Sequence, residues 1–195
     1  QCAAMRLALE AVLTLADRYA QLARAQYALA DAPRRAQLTE LISILETAPR
    51  HGAHSLREAI QVYVLLWQTM CLEQAPNPFA FSVGNADRIF EPYRAMEALS
   101  REETAALMAH FLVFFNVGDR SWAISQNILI GGRDAQGNDL TNPTSYALLD
   151  AYFAMNMPQQ ILSVKLHAHT PDALYAEMGR FFFSPGVLTP SLFNG

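Results

Sequence analysis

The sequence predicts an α/β fold in which mostly parallel strands are joined by helices. Helical spacing of apolar residues dominates residues 1–75, where no glycine or proline occurs before Pro33. Short apolar runs bounded by turn-forming residues alternate with helical segments over residues 76–195. Strands that alternate with helices are typical of crossover units, whose strands run parallel. We therefore expect a helical outer layer in residues 1–75 and a sheet with crossover helices in residues 76–195.

Three helices are expected in the first segment. The first runs without a break towards Asp31, which together with Pro33 can open the second helix. The second ends near Gly52. Ser55 and Glu58, in the run SLRE, have the spacing of a capping box and begin a third helix. This third helix is apolar nearly all round, which predicts a core helix.

Four strands are expected in the second segment, and helices separate them. The strand runs are PNPFAFSVG (76–84), NILIGG (127–132), ILSVKLH (161–167) and LTPSLFN (188–194). Three helices are predicted between and around these strands. The first begins at the capping box Ser100 and Glu103, the second runs from about Pro143 to Met155, and the third begins after Pro171.

Polar residues follow the first of these strands. Ser82, Asn85 and Asp87 are expected where the strand ends and a loop begins, the usual place of ligand-binding residues in α/β folds. The same residue types are equally typical of turns. Arg88 and Arg133 could bind a carboxylate, but solvent exposure is the simpler interpretation for both.

Composition narrows the classes of function. The chain has 195 residues, is 52% hydrophobic and 16% charged, and carries a net charge of -4 with 14 Lys and Arg. Since no basic stripe is available for phosphates, we expect no nucleic-acid partner. The longest apolar run, VYVLLW, is far too short to span a bilayer, so no membrane partner is expected either. The chain begins within a helical pattern without Met and stops after a strand run, which suggests a piece of a longer protein.

Cysteine and histidine offer little chemistry by themselves. Cys2 and Cys71 are too few for a disulfide framework or a zinc site, so a reducing cytoplasm is the expected location. A thiol buried in an apolar helix is a poor nucleophile. His167 and His169 are two apart at a strand end and could give two metal ligands, but no third ligand is evident. No metal site is predicted.

The run NILIGGRDAQGNDLTN, residues 127–142, fits none of three known ligand-binding loops. It lacks the Gly-Lys-Ser/Thr ending of a phosphate loop and the Gly-x-Gly-x-x-Gly spacing of a dinucleotide fingerprint. Its alternating polar residues resemble a calcium loop, but Asp139 stands where glycine is required and no Glu closes the loop. Taken alone, the run is best interpreted as a structural turn.

Three stretches together resemble the large catalytic domain of glycyl radical enzymes, the superfamily of pyruvate formate-lyase, diol dehydratases and choline lyase. They are HSLREAIQVYVLLWQ (54–68), FSVGNADRIFEPY (81–93) and QNILIGGRDAQGNDLTNPTSYALLDA (126–151). The third is the most specific, and PQQILSVKLHAHTPDAL and LTPSLFN follow it at the expected interval. The resemblance covers essentially the whole chain, as an internal piece that precedes the catalytic cysteine loop.

This resemblance implies the fold and the chemistry of a longer parent enzyme. Its fold would be a ten-stranded barrel made of two parallel halves, and this chain would be the helix-rich first half-barrel. A glycyl radical would generate a thiyl radical on a cysteine, which cleaves or eliminates within a small-molecule substrate. The chain itself would hold no catalytic residue, no cofactor and no metal.

The resemblance also implies partners and anaerobic metabolism. An activating enzyme that uses S-adenosylmethionine and an iron-sulfur cluster would install the organic glycyl radical. The second half of the barrel would pack against this chain, and a homodimer is left open.

Site residues are implied by position in these motifs. The candidates that line the substrate pocket are Phe79, Ala80, Ser82, Ser125 and Gln126. The residues expected to fix the turn are Gly131, Gly132, Asp134, Gly137, Asp139 and Asn142. Pro78, Phe79 and Ala80 stand where related dehydratases carry Gly-His-Ser, and Asn85 replaces the usual Arg, so we expect a different pocket.

Two other functions stay open. A truncated homologue without catalysis could act as a binding or structural module. An ordinary nucleotide-binding α/β enzyme is the weaker alternative, because both glycine fingerprints are missing.

Overall fold

A computed structural model describes residues 1–73, 82–117, 126–158 and 160–194. The chain folds into two compact units, Gln1–Ala75 and Pro76–Gly195. Within the described ranges, no helix has the length and apolar character needed to cross a membrane.

The first unit consists of three helices, as predicted. They are α1 (Cys2–Tyr27), α2 (Ala32–His51) and α3 (Leu56–Glu73). Asp31 caps α2 because its Oδ1 accepts a hydrogen bond from the amide of Arg34 over 3.0 Å. Gly52 ends the same helix at φ +88°. The amide of Glu58 donates to Ser55 Oγ over 3.1 Å and so fixes the start of α3.

Small and apolar side chains hold these helices together. Ala16 and Ala20 of α1 pack with Leu45 of α2 and Leu65 of α3 in one buried cluster. Alanines let α1 approach its neighbours closely, which suits a contact between helices. Most of α3 is buried or half-buried, although Leu66 and Leu72 are exposed.

In its described residues, the second unit has a parallel four-stranded sheet and four helices. Its strands are β1 (Gly84–Asn85), β2 (Gln126–Gly131), β3 (Gln160–Leu166) and β4 (Ser191–Asn194), in the spatial order β1-β2-β3-β4. Its helices are α4 (Ala86–Glu97), α5 (Arg101–Val117), α6 (Pro143–Met155) and α7 (Asp172–Phe182). All three strand pairs are parallel, so the predicted helix-rich α/β fold with parallel strands is confirmed.

The sheet has one covered face and one open face. Side chains alternate along a strand. Ile128 and Ile130 of β2, with Leu162 and Val164 of β3, are buried on the covered face. On the open face, Leu129 is half-buried and Ile161 is 37% exposed. Among the described residues, the apolar side chains of the open face are thus less buried than those of the covered face.

One prediction around β1 lies mostly outside the described residues, and another is wrong. The strand expected over 76–84 falls mostly outside the described residues, and the strand that is described lies at Gly84–Asn85. The loop expected at Asp87 is instead the first turn of α4, a helix that the pattern did not predict. Pro92 lies inside α4, and a proline normally argues against a helix interior.

Candidate functional site

A row of three polar residues, Ser82, Asn127 and Ser163, is linked by hydrogen bonds across the start of the sheet. The amide of Asn127, in β2, donates to Ser82 Oγ over 3.0 Å. Ser163 Oγ, in β3, donates to Asn127 Oδ1 over 2.7 Å. Ser163 is fully buried, Asn127 is half-buried and Ser82 is exposed. The row thus runs from a buried hydroxyl, bonded to the Asn127 carboxamide, to an exposed hydroxyl, bonded to the Asn127 backbone amide.

The hydrogen bonds in this row fix the orientation of the Asn127 carboxamide. Its Oδ1 is taken by Ser163, so its Nδ2 group is the end that remains. Among the described residues, Nδ2 makes no hydrogen bond. The Ser82 hydroxyl accepts from a backbone amide and keeps its own proton to donate. Two neutral donors are therefore available near the start of the sheet.

Only two of the five predicted pocket residues, Ser82 and Gln126, lie among the described residues. Phe79, Ala80 and Ser125 lie outside the described residues. Gln126 is the first residue of β2, and its backbone pairs with that of Gln160. Ser82 lies beside β1 and closes the start of the β1–β2 ladder with its hydroxyl. Asn127 and Ser163 were not predicted from the sequence, because a polar residue within an apolar strand gives no signal of its own.

Glycines with left-handed backbone begin the polar turn after β2. Gly131 has φ +69° and Gly132 has φ +89°. A methyl group on Gly131 would lie 3.0 Å from the carbonyl oxygen of Lys165. A methyl group on Gly132 would lie 3.2 Å from the side chains of Arg88 and Lys165. Both backbone conformation and close packing therefore require glycine here.

Side-chain carboxylates and amides close the rest of the turn. Asp134 Oδ1 accepts from the amides of Gln136 and Asn138 over 2.9 and 2.8 Å. Gly137, at φ +89°, completes that small loop. Asn142 Oδ1 accepts from the amide of Ser145 over 3.2 Å in a capping box that begins α6.

Asp139 joins the turn to the end of β3. Its Oδ2 accepts from the amide of Thr141 over 3.1 Å, and its Oδ1 contacts His167 Nε2 over 3.0 Å. His167 Nδ1 in turn accepts from the amide of His169 over 3.3 Å. Because Nδ1 accepts, the proton of a neutral His167 lies on Nε2 and is donated to Asp139. Both ring nitrogens of His167 are thus engaged within the protein.

The arrangement offers no metal centre in the described part of the chain. No group of three or more His, Cys, Asp or Glu side chains there is placed to hold a metal ion. His167 is buried and bonded to Asp139, whereas His169 is exposed. Their ring centroids are 6.3 Å apart.

Asp87 is a buried carboxylate that links three elements. Its Oδ2 accepts from the amide of Gly131 and from Ser145 Oγ, each over 2.7 Å. Its Oδ1 accepts from the amide of Arg88 over 2.8 Å. Burial raises the pKa of Asp87 above its ordinary value, although these three hydrogen bonds oppose the rise. The residue fastens α4 to the end of β2 and the start of α6.

Arg88 is not the solvent-exposed residue that the sequence suggested. Its Nη2 donates to the carbonyl oxygen of Gly131 over 3.0 Å, and the side chain is half-buried. Its Nε and the Oδ1 of Asn85 are buried without a hydrogen-bond partner among the described residues. Arg133 is exposed, as expected.

The chain is similar to known proteins in both sequence and fold. A family model described as "PFL-like: Pyruvate formate lyase-like" matches residues 1–195. The isethionate sulfite-lyase of Bilophila wadsworthia (strain 3_1_6) is 28% identical over 186 residues, which cover 85% of this chain and 22% of that protein.

Solved structures agree with this match. A structure on 1,2-propanediol dehydration in Roseburia inulinivorans is similar with a TM-score of 0.85 and 25% identity, over 95% of this chain and 25% of that one. A glycyl radical enzyme from Archaeoglobus fulgidus has a TM-score of 0.77 at 24% identity, over 88% of this chain and 24% of that one, and supports the fold. The chain thus spans about a quarter of the length of the proteins that it matches.

Proposed function

Because the chain belongs to the pyruvate formate lyase-like family, we propose that it is part of a glycyl radical enzyme of the lyase or dehydratase type. The observation that carries the proposal is the family match over residues 1–195, and the similarity of the chain to a solved relative, with a TM-score of 0.85, supports it. The curated relative is named as a lyase, and the solved structure concerns a dehydration. A formate acetyltransferase-like reaction has less support from these two proteins.

In this proposal the chain forms one wall of the reaction chamber. The open sheet face would point inward, and the remaining half of the barrel would cover it. Exposed apolar side chains on the described strands fit such a role, since Ile161 is 37% and Phe193 is 49% exposed. Phe79, Ala80, Ser125 and Gln126 would line the pocket beside Ser82.

The residues that fix the turn would serve the architecture rather than the reaction. Gly131 and Gly132 bring β2 close to Lys165, while Asp134 and Asp139 accept hydrogen bonds from their own loop. Asn142 begins α6. Their role would be to set where β2 ends and how the chain returns to β3.

The radical chemistry would come from elsewhere in the full-length protein. A glycyl radical, installed by an S-adenosylmethionine iron-sulfur activase, supplies a thiyl radical when it is present. Cys2 is exposed at the start of α1 and Cys71 is half-buried in α3, so we assign neither to that step. The chain's own contribution would be to bind the substrate, exclude water and hold the barrel wall. We place the protein in the cytoplasm of an anaerobically growing cell.

We propose a small hydroxylated molecule as the substrate class. Isethionate and 1,2-propanediol, which occur in the names of the relatives, both carry a hydroxyl group. The departures at Phe79 and Ala80 favour a substrate that is held differently from that of a diol dehydratase.

Electron paramagnetic resonance of the full-length protein tests this function. After anaerobic incubation with an activase and S-adenosylmethionine, we expect the doublet of a glycyl radical. Omission of S-adenosylmethionine is the matched control and should leave the spectrum silent. A silent spectrum under conditions that activate a known relative in parallel would contradict the proposal and favour a non-catalytic homologue.

A further inference from the structure

The Asn127 carboxamide is a polar group on an otherwise largely apolar stretch of the open sheet face. Along β2 it is followed on that face by Leu129, and its register partner on β3 is Ile161. The backbone amide of Asn127 donates a hydrogen bond to Ser82 Oγ over 3.0 Å. The side chain is not needed for that contact.

Ser163 holds the carboxamide in one orientation. The serine is fully buried, and its hydroxyl donates to Asn127 Oδ1 over 2.7 Å. Loss of this hydrogen bond would leave a buried hydroxyl without a partner, which is unfavourable and keeps the pair together. With Oδ1 engaged, the Nδ2 hydrogens are the free end of the group, and they make no hydrogen bond among the described residues.

The donor is neutral. Among the described residues, neither Asn127 nor Ser163 makes a hydrogen bond or an ion pair with a charged side chain. A neutral donor suits an uncharged acceptor better than a carboxylate, which is usually held by Arg or Lys. The Ser82 hydroxyl, which is bonded to the backbone amide of Asn127, is a second neutral donor near the start of the sheet.

We infer that Asn127 determines substrate specificity by donating a hydrogen bond from Nδ2 to a hydroxyl oxygen of the substrate, and that Ser163 is the positioning residue that orients it. This inference rests on the proposed function and adds to it the atom that recognises the substrate. It gives the enzyme a hydroxyl-binding donor on β2, although Phe79 and Ala80 occupy the positions where related dehydratases carry polar side chains.

Asn127→Asp is the most direct test of the Nδ2 donor. A carboxylate keeps the shape and still accepts from Ser163, so the fold is retained, but both Nδ2 hydrogens are removed. With the activated full-length protein, the probes are isethionate, 1,2-propanediol, glycerol and trans-4-hydroxy-L-proline. We expect at least one to be turned over with saturation, and its KM to rise by roughly tenfold in the variant. The glycyl radical yield should not change.

Ser163→Ala tests the positioning role, and Ser191→Ala is its matched control. Ser191 is the register partner of Ser163 on β4 and makes no side-chain hydrogen bond among the described residues. Ser163→Ala should raise KM about three- to tenfold with little change in kcat, because the amide keeps its donors but loses its orientation. Ser191→Ala should leave KM unchanged. A crystal structure with the compound that is turned over should place its hydroxyl oxygen within hydrogen-bond distance of Asn127 Nδ2.

The outcomes separate this inference from the proposed function. If no glycyl doublet forms, both fail. If the doublet forms but none of the four compounds is turned over, the inference and the proposed substrate class fail, while the assignment as a glycyl radical enzyme stands. If KM is the same in Asn127→Asp and the unaltered protein, only the inference is overturned.

Discussion

The buried carboxylate of Asp87 accepts a hydrogen bond from the backbone amide of Gly131 over 2.7 Å. Arg88 completes the link from the other side, because its guanidinium donates to the carbonyl oxygen of the same glycine over 3.0 Å. Two neighbouring residues at the start of α4 thus hold both backbone polar groups of Gly131, its N–H and its C=O, at the end of β2. Asp87 and Gly131 are 44 residues apart in the sequence. Their hydrogen bond joins the start of α4 to the glycine turn after β2 in one structural unit.

Asp87→Asn is expected to destabilise the second unit. The Asp87 carboxylate acts only as an acceptor, in three hydrogen bonds. An asparagine would turn its own amino group, which can only donate, towards one of these three donors. One buried donor would then lack a partner, at a cost of about 1 to 3 kcal/mol in acid. Urea denaturation of the chain, followed by circular dichroism, measures the difference in the free energy of unfolding.

The pH dependence of that difference has a definite sign. Burial raises the pKa of Asp87, so between the ordinary carboxyl pKa and the raised one the folded state binds more protons than the unfolded state. Stability from this group is full below the ordinary value and is lost as the pH rises through the raised pKa. The asparagine variant does not titrate there. The gap between the two proteins should therefore narrow from about pH 4 upward, and a gap that widens over this range would contradict the assignment.

Three glycine substitutions separate backbone strain from close packing. Gly131→Ala adds a methyl group 3.0 Å from a carbonyl oxygen at φ +69°, so we expect a loss of about 2 to 4 kcal/mol. Gly137→Ala meets no atom within 4 Å but has φ +89°, so only the strain of about 1 to 2 kcal/mol should remain. The measurement is the midpoint of urea denaturation.

Gly179→Ala is the matched control for these variants. Gly179 lies in α7 with an ordinary helical φ and open space at the methyl position. We expect a gain of about 0.5 to 1 kcal/mol, because alanine loses less backbone entropy in a helix. Equal destabilisation by Gly131→Ala and Gly137→Ala would show that packing against Lys165 has no effect.

A zinc titration tests whether the histidine pair binds a metal. His167 has both ring nitrogens engaged, one with Asp139 and one with the amide of His169. We therefore expect zinc to change the melting temperature of the chain and of the His169→Ala variant equally. A zinc-dependent stabilisation that disappears in the variant would restore the metal interpretation.

Local signals in the sequence predicted most elements well. Pro143 to Met155 was expected as a helix, and α6 has these bounds because Asn142 caps it and Asn156 ends it in the left-handed region. The long α1 and the glycine end of α2 follow from equally local rules. Such features depend on neighbours within a few residues.

Other features depend on distant residues, and the sequence could not predict them. α4 was missed because Pro92 and the polar residues before it are typical of a loop, while its stability comes from contacts such as Phe90 with Phe111, whose ring centroids are 5.4 Å apart. The hydrogen bond between Ser163 and Asn127 joins residues 36 apart. The predicted pocket residues Phe79, Ala80 and Ser125 stay predictions.

Glu91→Gln should show a pH dependence opposite to that of Asp87→Asn. Burial alone would raise the pKa of Glu91, but hydrogen bonds from Arg94 and Thr144 hold this pKa below its ordinary value. Its Oε2 accepts from Thr144 Oγ1 over 2.7 Å, close to the start of α6. Stability from this group is present above the ordinary pKa and is lost as the pH falls through the lowered one.

The expected loss in Glu91→Gln is about 1 to 2 kcal/mol at neutral pH, since hydrogen bonds to a charged acceptor are replaced by weaker ones. The gap to the unaltered protein should shrink as the pH falls below about 4.5. Glu10→Gln is the control, because Glu10 pairs with Arg6 on an exposed helix surface and should contribute under about 0.5 kcal/mol. Urea denaturation across this pH range measures both variants, and a loss in Glu91→Gln that persists in acid would mean that packing rather than charge holds the start of α6.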